Sequence, residues 1–117
     1  MNIIKKFTPH KSKRRELSGV DMLVMHYTGS QSIGGTLSWF EDPRAKVSAH
    51  YVIGTDGKVY AFEDHFTPLW HCGKSEWLGK KWCNRRSIGY ELVGMAGMAF
   101  PREQISAVMN LIQLEFA

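Results

Sequence analysis

Val20-Asp21-Met22-Leu23-Val24-Met25-His26-Tyr27 is the stretch on which the fold turns, because only Asp21 and His26 interrupt its apolar character. A nearly continuous apolar run of this length predicts a strand buried on both faces, as in a sheet that carries helices on each side. The run gives way to Thr28-Gly29-Ser30. Polar residues at the end of a buried strand are where α/β folds commonly place chemistry. His26 is therefore the first candidate residue, since an imidazole at that point projects into a cleft and serves as metal ligand or proton carrier near neutral pH.

Working outward, a short helix is expected between Ser32 and Asp42, with Leu37, Trp39 and Phe40 apolar and Pro43 as its stop. Val47 to Gly54 and Val59 to Glu63 flank Asp56-Gly57, a pair that predicts a tight hairpin because the turn needs positive φ. Phe66 to Arg86 shows no period and contains three tryptophans, which points to a functional loop and away from disorder. Ser87 to Val93 (SIGYELV) alternates, placing Ile88, Tyr90 and Leu92 on one face and Gly89, Glu91 and Val93 on the other. Glu91 is the second candidate: it either faces solvent or is buried with a raised pKa, a state suited to general acid–base work. A last helix follows Pro101, with Glu103 near its positive end and Ile105, Val108, Met109 and Ile112 at helical spacing.

With 117 residues, 44% hydrophobic and 22% charged, the chain fits one globular domain and excludes wholesale disorder. No apolar run approaches the roughly 18 residues of a membrane span. The net charge of +4 is concentrated in Lys5, Lys6, Lys11, Lys13, Arg14 and Arg15, so residues 1–19 are read as a basic N-terminal arm and 20–117 as the domain. Such an arm is a solvated tail or a holder of anionic polymer; without interleaved aromatics beyond Phe7 it lacks the pattern for stacking single strands. The opening stretch has no apolar core of a secretory signal, which places the expectation in the cytoplasm. Cys72 and Cys83 match no metal or redox spacing and are read as structural thiols. His10 and His65 are read as packed or surface residues.

Five ordered motifs now carry a resemblance: His26-Tyr27-Thr28, Ser48-Ala49-His50-Tyr51-Val52-Ile53, Asp56-Gly57, Trp70-His71-Cys72-Gly73 and Asn84-Arg85-Arg86-Ser87-Ile88-Gly89-Tyr90-Glu91. In this order and spacing the chain resembles the zinc N-acetylmuramoyl-L-alanine amidases, a superfamily that includes phage amidase lysozymes and peptidoglycan recognition proteins. It is most similar to the anhydro-muramyl-peptide amidases of cell-wall recycling. The resemblance runs from about Leu23 to the final helix. It implies one α/β domain, a central mixed sheet with helices on both faces. It also implies hydrolysis of the amide between N-acetylmuramic acid and L-alanine, in peptidoglycan or its fragments.

Residue by residue, His26 matches the first zinc ligand and Glu91 the catalytic glutamate of the recycling branch. The phage branch carries a catalytic tyrosine where this chain has Ala49. His50 matches a histidine of the active-site cleft, and Trp70, His71, Asn84 and Arg85 fall on the loop bordering the substrate groove, so these five are candidate substrate-binding residues. In the family a further strand and loop beyond the last helix bring a second histidine, a third ligand and an oxyanion-stabilising lysine. The expectation is therefore a C-terminally truncated domain whose zinc site is incomplete, with a sheet edge open to self-association. His50, His71, Cys72 and Cys83 are chemically able to bind zinc, but the motif order gives no reason for them to converge on His26. The alternatives are a non-catalytic peptidoglycan-binding module, on the same fold, and a basic nucleic-acid-binding domain, which has only charge in its favour.

Overall fold

The computed structural model describes residues 2–15 and 19–116. Seven strands and two α-helices follow one another as β1 (Ile3–Lys5), β2 (Met22–Tyr27), α1 (Ile33–Glu41), β3 (Tyr51–Ile53), β4 (Val59–Ala61), β5 (Glu76–Trp77), β6 (Lys80–Lys81), β7 (Ser87–Leu92) and α2 (Arg102–Phe116). Five of the strands form a mixed sheet in the order β1-β4-β3-β7-β2, and β5-β6 is a separate small ribbon. The expected α/β domain with a mixed central sheet is what the chain builds.

Local chemistry accounts for the elements. Ser32 caps α1, its hydroxyl accepting from the Gly35 N–H at 3.0 Å, and Pro43 lies just beyond the helix end. The β3–β4 hairpin turns at Gly57, whose φ of 85° favours glycine, while Asp56 Oδ1 accepts from the Lys58 N–H at 3.0 Å. The Pro101 carbonyl accepts the first amides of α2, from Gln104 and Ile105, both at 3.1 Å.

The sheet has two covered faces. Tyr51, Ile53, Ile88, Tyr90 and Leu92 pack against Ala107, Val108 and Leu111 of α2. On the opposite face Val52, Phe62, Leu69 and Val93 pack with Phe40 of α1. The alternation expected for Ser87–Val93 is thus realised, since its two residue sets divide between the two layers.

Three expectations are corrected. The apolar run at β2 is not buried on both faces: β2 is an edge strand, and Leu23, Met25 and Tyr27 are exposed because α2 covers β3 and β7 without reaching it. On α2 the inward residues are Gln104, Ala107, Val108 and Leu111, whereas Ile105 and Met109 face outward. The N-terminal segment is not a solvated arm. β1 pairs in parallel with β4, and Thr8 and His10 are buried. The Thr8 hydroxyl donates to the Phe40 carbonyl at 2.6 Å, and His10 Nε2 lies 2.7 Å from that of Asp42. Arg15 donates to the carbonyls of His65, Asn84 and Ser87 and is part of the fold, whereas Lys5, Lys6, Lys11, Lys13 and Arg14 are exposed.

Candidate active site

β2 and β7 run parallel in a register that sets His26 directly beside Glu91 and Val24 beside Gly89. Partners in register project to the same face, so imidazole and carboxylate stand side by side on the α1 face of the sheet. Val52 flanks Glu91 from β3. Burial raises the Glu91 carboxyl from 4.5 to about 7. Its Oε2 has no hydrogen-bond partner among the described residues, although a buried polar oxygen ordinarily finds one. Burial lowers the His26 pKa, so this ring is held neutral with a lone pair to offer.

A third group arrives from the long loop. The His71 ring lies against Gly89, where any added Cβ would sit 2.5 Å from its Cγ. That glycine is required by close approach and by nothing else. His71 Nδ1 is 3.0 Å from His26 Nε2 and 3.1 Å from Cys72 Sγ. The donor atoms of His26, His71 and Cys72 all lie within 4.8 Å of one another. Burial first, then the neighbouring His26, His50 and Arg15, lowers the His71 pKa to about 3, and burial pushes the Cys72 thiol up to about 11.

Two imidazole nitrogens and one thiol match the ligand preference of zinc, so the residues present fit the metal that the resemblance implies. The expectation that local donors would not gather at His26 is corrected for two of them. His71 and Cys72 are beside it. Cys72, read from the sequence as a structural thiol, was missed as a site residue, and its one signal was adjacency to His71 within the Trp70–Gly73 motif.

The remaining candidates divide. His50 is fully buried, with Nε2 2.8 Å from the Thr67 carbonyl and Nδ1 accepting from the Gly89 N–H at 3.1 Å. It supports the β3–β7 pairing and has no nitrogen left for substrate. Burial lowers its pKa to about 4. Asn84 also works inward, its Oδ1 accepting from the backbone N–H of His71 at 3.0 Å and of Cys72 at 2.8 Å. Trp70 packs tilted on His10 at a ring-centroid distance of 5.3 Å and donates from Nε1 to Ser12. Arg85 is exposed and lines a basic cleft with Lys13, Arg14 and Arg15. Of the two histidines set aside, His10 is buried as described, and His65 Nε2 lies 2.7 Å from the Tyr51 hydroxyl and 2.5 Å from the Glu115 carboxylate.

Known proteins place this geometry in a lineage. The family model described as N-acetylmuramoyl-L-alanine amidase matches residues 15–115. The 1,6-anhydro-N-acetylmuramyl-L-alanine amidase AmpD of Escherichia coli K12 is 37% identical over 125 residues, covering 90% of this chain and 68% of that protein. A crystal structure of a selenomethionine AmpD derivative superposes with a TM-score of 0.80 at 28% identity, over 96% of this chain and 74% of the other. The amidase AmiD of Escherichia coli, in complex with anhydro-N-acetylmuramic acid-L-Ala-D-gamma-Glu-L-Lys, gives 0.72 at 27% identity, over 81% of this chain and 42% of that one. The chain spans about two thirds of the length of the AmpD relatives it matches. The match runs through β2, the His71 loop and β7, the elements that bring His26 and Glu91 together, and the chain belongs to the N-acetylmuramoyl-L-alanine amidase family.

Proposed function

We propose that this chain acts as a zinc-dependent N-acetylmuramoyl-L-alanine amidase. Its substrate is a muramyl peptide, and the bond cleaved is the amide between the lactyl group and L-alanine. The observation that carries the reading is Glu91, a carboxyl with a pKa near 7 and a free Oε2, in register beside His26.

Amides are poor electrophiles, and zinc, when held, polarises a carbonyl and acidifies water. His26 is the ligand that belongs to the β2 end, and the neutral state imposed by burial keeps its lone pair available. Glu91 takes a proton from the attacking water and returns it to the alanine nitrogen as the carbon–nitrogen bond breaks. A carboxyl that titrates near pH 7 can do both at working pH. The released anhydro-muramyl peptide is the favoured substrate form, because that is the substrate class named for the AmpD relatives and bound in the AmiD complex. Both are small soluble ligands, which suits action inside a cell.

The test is Glu91→Gln, which preserves shape and removes the base. We expect kcat/KM on an anhydro-muramyl peptide to fall by about 10²–10⁴-fold, with binding of the intact substrate retained. Equal rates in the two proteins would remove Glu91 from the mechanism. Binding without cleavage is a second reading, favoured by the exposed rings of Trp77 and Trp82 on and beside the β5–β6 ribbon. Wild-type protein that binds the peptide and never cleaves it would decide for that reading.

A further inference from the structure

We propose that the β5–β6 ribbon and the Trp82 that follows it form a finger that docks on an anionic lipid surface. The proposal goes beyond the amidase reading and uses neither metal nor hydrolysis.

The first argument is conformational. Two of the three non-glycine residues with positive φ among the described residues lie here, Leu78 at 51° and Trp82 at 62°. The left-handed region is unfavourable for any residue with a Cβ, and a bulky one there is an outlier. Leu78-Gly79 turns the chain between Trp77 and Lys80, with positive φ at both central residues. Asn-Gly is the sequence such a turn favours, so leucine at its first position needs a reason outside the turn. Packing does not supply one. Leu78 is 84% exposed, and Trp77 and Trp82 are 59% and 60% exposed. Strained backbone that holds apolar side chains in water points to a partner.

The second argument is how the ribbon is mounted. Residues 76–82 are all exposed, and β5-β6 is a sheet apart from the central one. Its base is fixed to the domain. The Trp82 N–H donates to the Ser75 carbonyl at 3.1 Å, the Cys83 N–H to Ser75 Oγ at 3.2 Å, and Arg86 Nη1 to the Trp77 carbonyl at 3.3 Å. The finger is thus presented in a preformed shape.

The third argument is charge. Register sets Trp77 beside Lys80 and Glu76 beside Lys81. Lys74, Ser75, Glu76, Lys81 and Trp82 line a hollow of about 420 Å³. Within residues 74–82, Lys74, Lys80 and Lys81 stand against one carboxylate, Glu76. Lys80 also lies 3.7 Å from Asp21, which Arg86 holds as well. Leucine at the turn, tryptophans on either side of it in the chain and lysines among them match the acyl, boundary and phosphate layers of an anionic lipid surface. A glycan would stack on the tryptophans, but it has no use for the exposed leucine. The contact is peripheral, since no described helix is long and apolar enough to cross a membrane.

Vesicle co-sedimentation of the full chain, without metal or substrate, provides the test. We expect binding to vesicles of one part phosphatidylglycerol to three parts phosphatidylcholine, with a blue shift of tryptophan emission, and little binding to phosphatidylcholine alone. Trp77→Ala and Leu78→Asn should each weaken binding by about tenfold or more, and Lys80→Gln by about fivefold. Leu78→Asn should also raise the melting temperature, because asparagine suits the turn. A wild-type chain that ignores the anionic vesicles, or folded variants that bind them as tightly, overturns the proposal. So does emission that responds to a soluble N-acetylglucosamine tetramer and not to vesicles, which would assign the ribbon to glycan. Amidase assays are run separately: vesicle binding without cleavage leaves this proposal standing, and cleavage without vesicle binding leaves only the amidase reading.

Discussion

A carboxylate on the inner face of a strand loses hydration, and Glu91 responds by keeping its proton until about pH 7. That tuning acts on stability as well as chemistry. Between the unfolded value of 4.5 and the folded value of about 7, the folded chain binds more protons than the unfolded one, so this group's contribution falls as pH rises through that window. In chelator-treated protein, Glu91→Gln is therefore expected to be more stable than wild type by about 1–3 kcal/mol at pH 8, with the difference shrinking toward zero near pH 4.5. Urea melts at the two pH values check this. Coincident melts at pH 8 would mean that Glu91 is solvated. The oddity of a glutamate in SIGYELV was legible in the sequence, as was a histidine closing β2. The meeting of His26 with His71 was not, because the two are separated by 45 residues and the loop that carries His71 has no period to read.

At the scale of elements, the hairpin at Asp56-Gly57, the helix after Ser32 and the β7 alternation were legible because each is decided by a few neighbouring residues. The inward face of α2 was not. Apolar spacing favoured Ile105 and Met109, yet Gln104 points inward because its amide donates to the Ile53 carbonyl at 2.9 Å and the Val93 carbonyl at 3.0 Å. A buried polar side chain is tolerated where it hydrogen-bonds buried backbone groups, here the Val93 carbonyl and, as a second donor beside the Val93 N–H, the Ile53 carbonyl. Gln104→Leu keeps the volume and orphans the Val93 carbonyl, while the Ile53 carbonyl keeps the Val93 N–H at 3.0 Å, with an expected loss of about 1–2 kcal/mol in the urea midpoint analysis. A neutral effect would mean that these bonds contribute nothing net. The same kind of neighbour effect made β2 half-exposed: a strand's own residues do not say whether a helix will cover it.

For the whole molecule, the opening segment is tied down by contacts that span most of the chain. Arg15 reaches the carbonyls of Asn84 and Ser87 at 2.9 Å, on the 3-10 turn Cys83–Arg86 and the start of β7 that also orient the His71 loop. Charge counting reads such an arginine as surface, because its partners lie 69 and 72 residues away. Arg15→Met retains the apolar stem and removes the donors. We expect a loss of about 2–3 kcal/mol in stability, seen as a lowered melting temperature, together with faster amide exchange at His71 and Cys72. Destabilisation without that local change would separate Arg15 from the site.

The most direct measurement is the product of the reaction. Zinc-supplemented chain is incubated with an anhydro-N-acetylmuramyl tripeptide, and the mixture is resolved by mass spectrometry. The account predicts two products, anhydro-N-acetylmuramic acid and a free peptide with L-alanine at its amino end, both missing with Glu91→Gln. Intact substrate after prolonged incubation, or cleavage at any other bond, would contradict it.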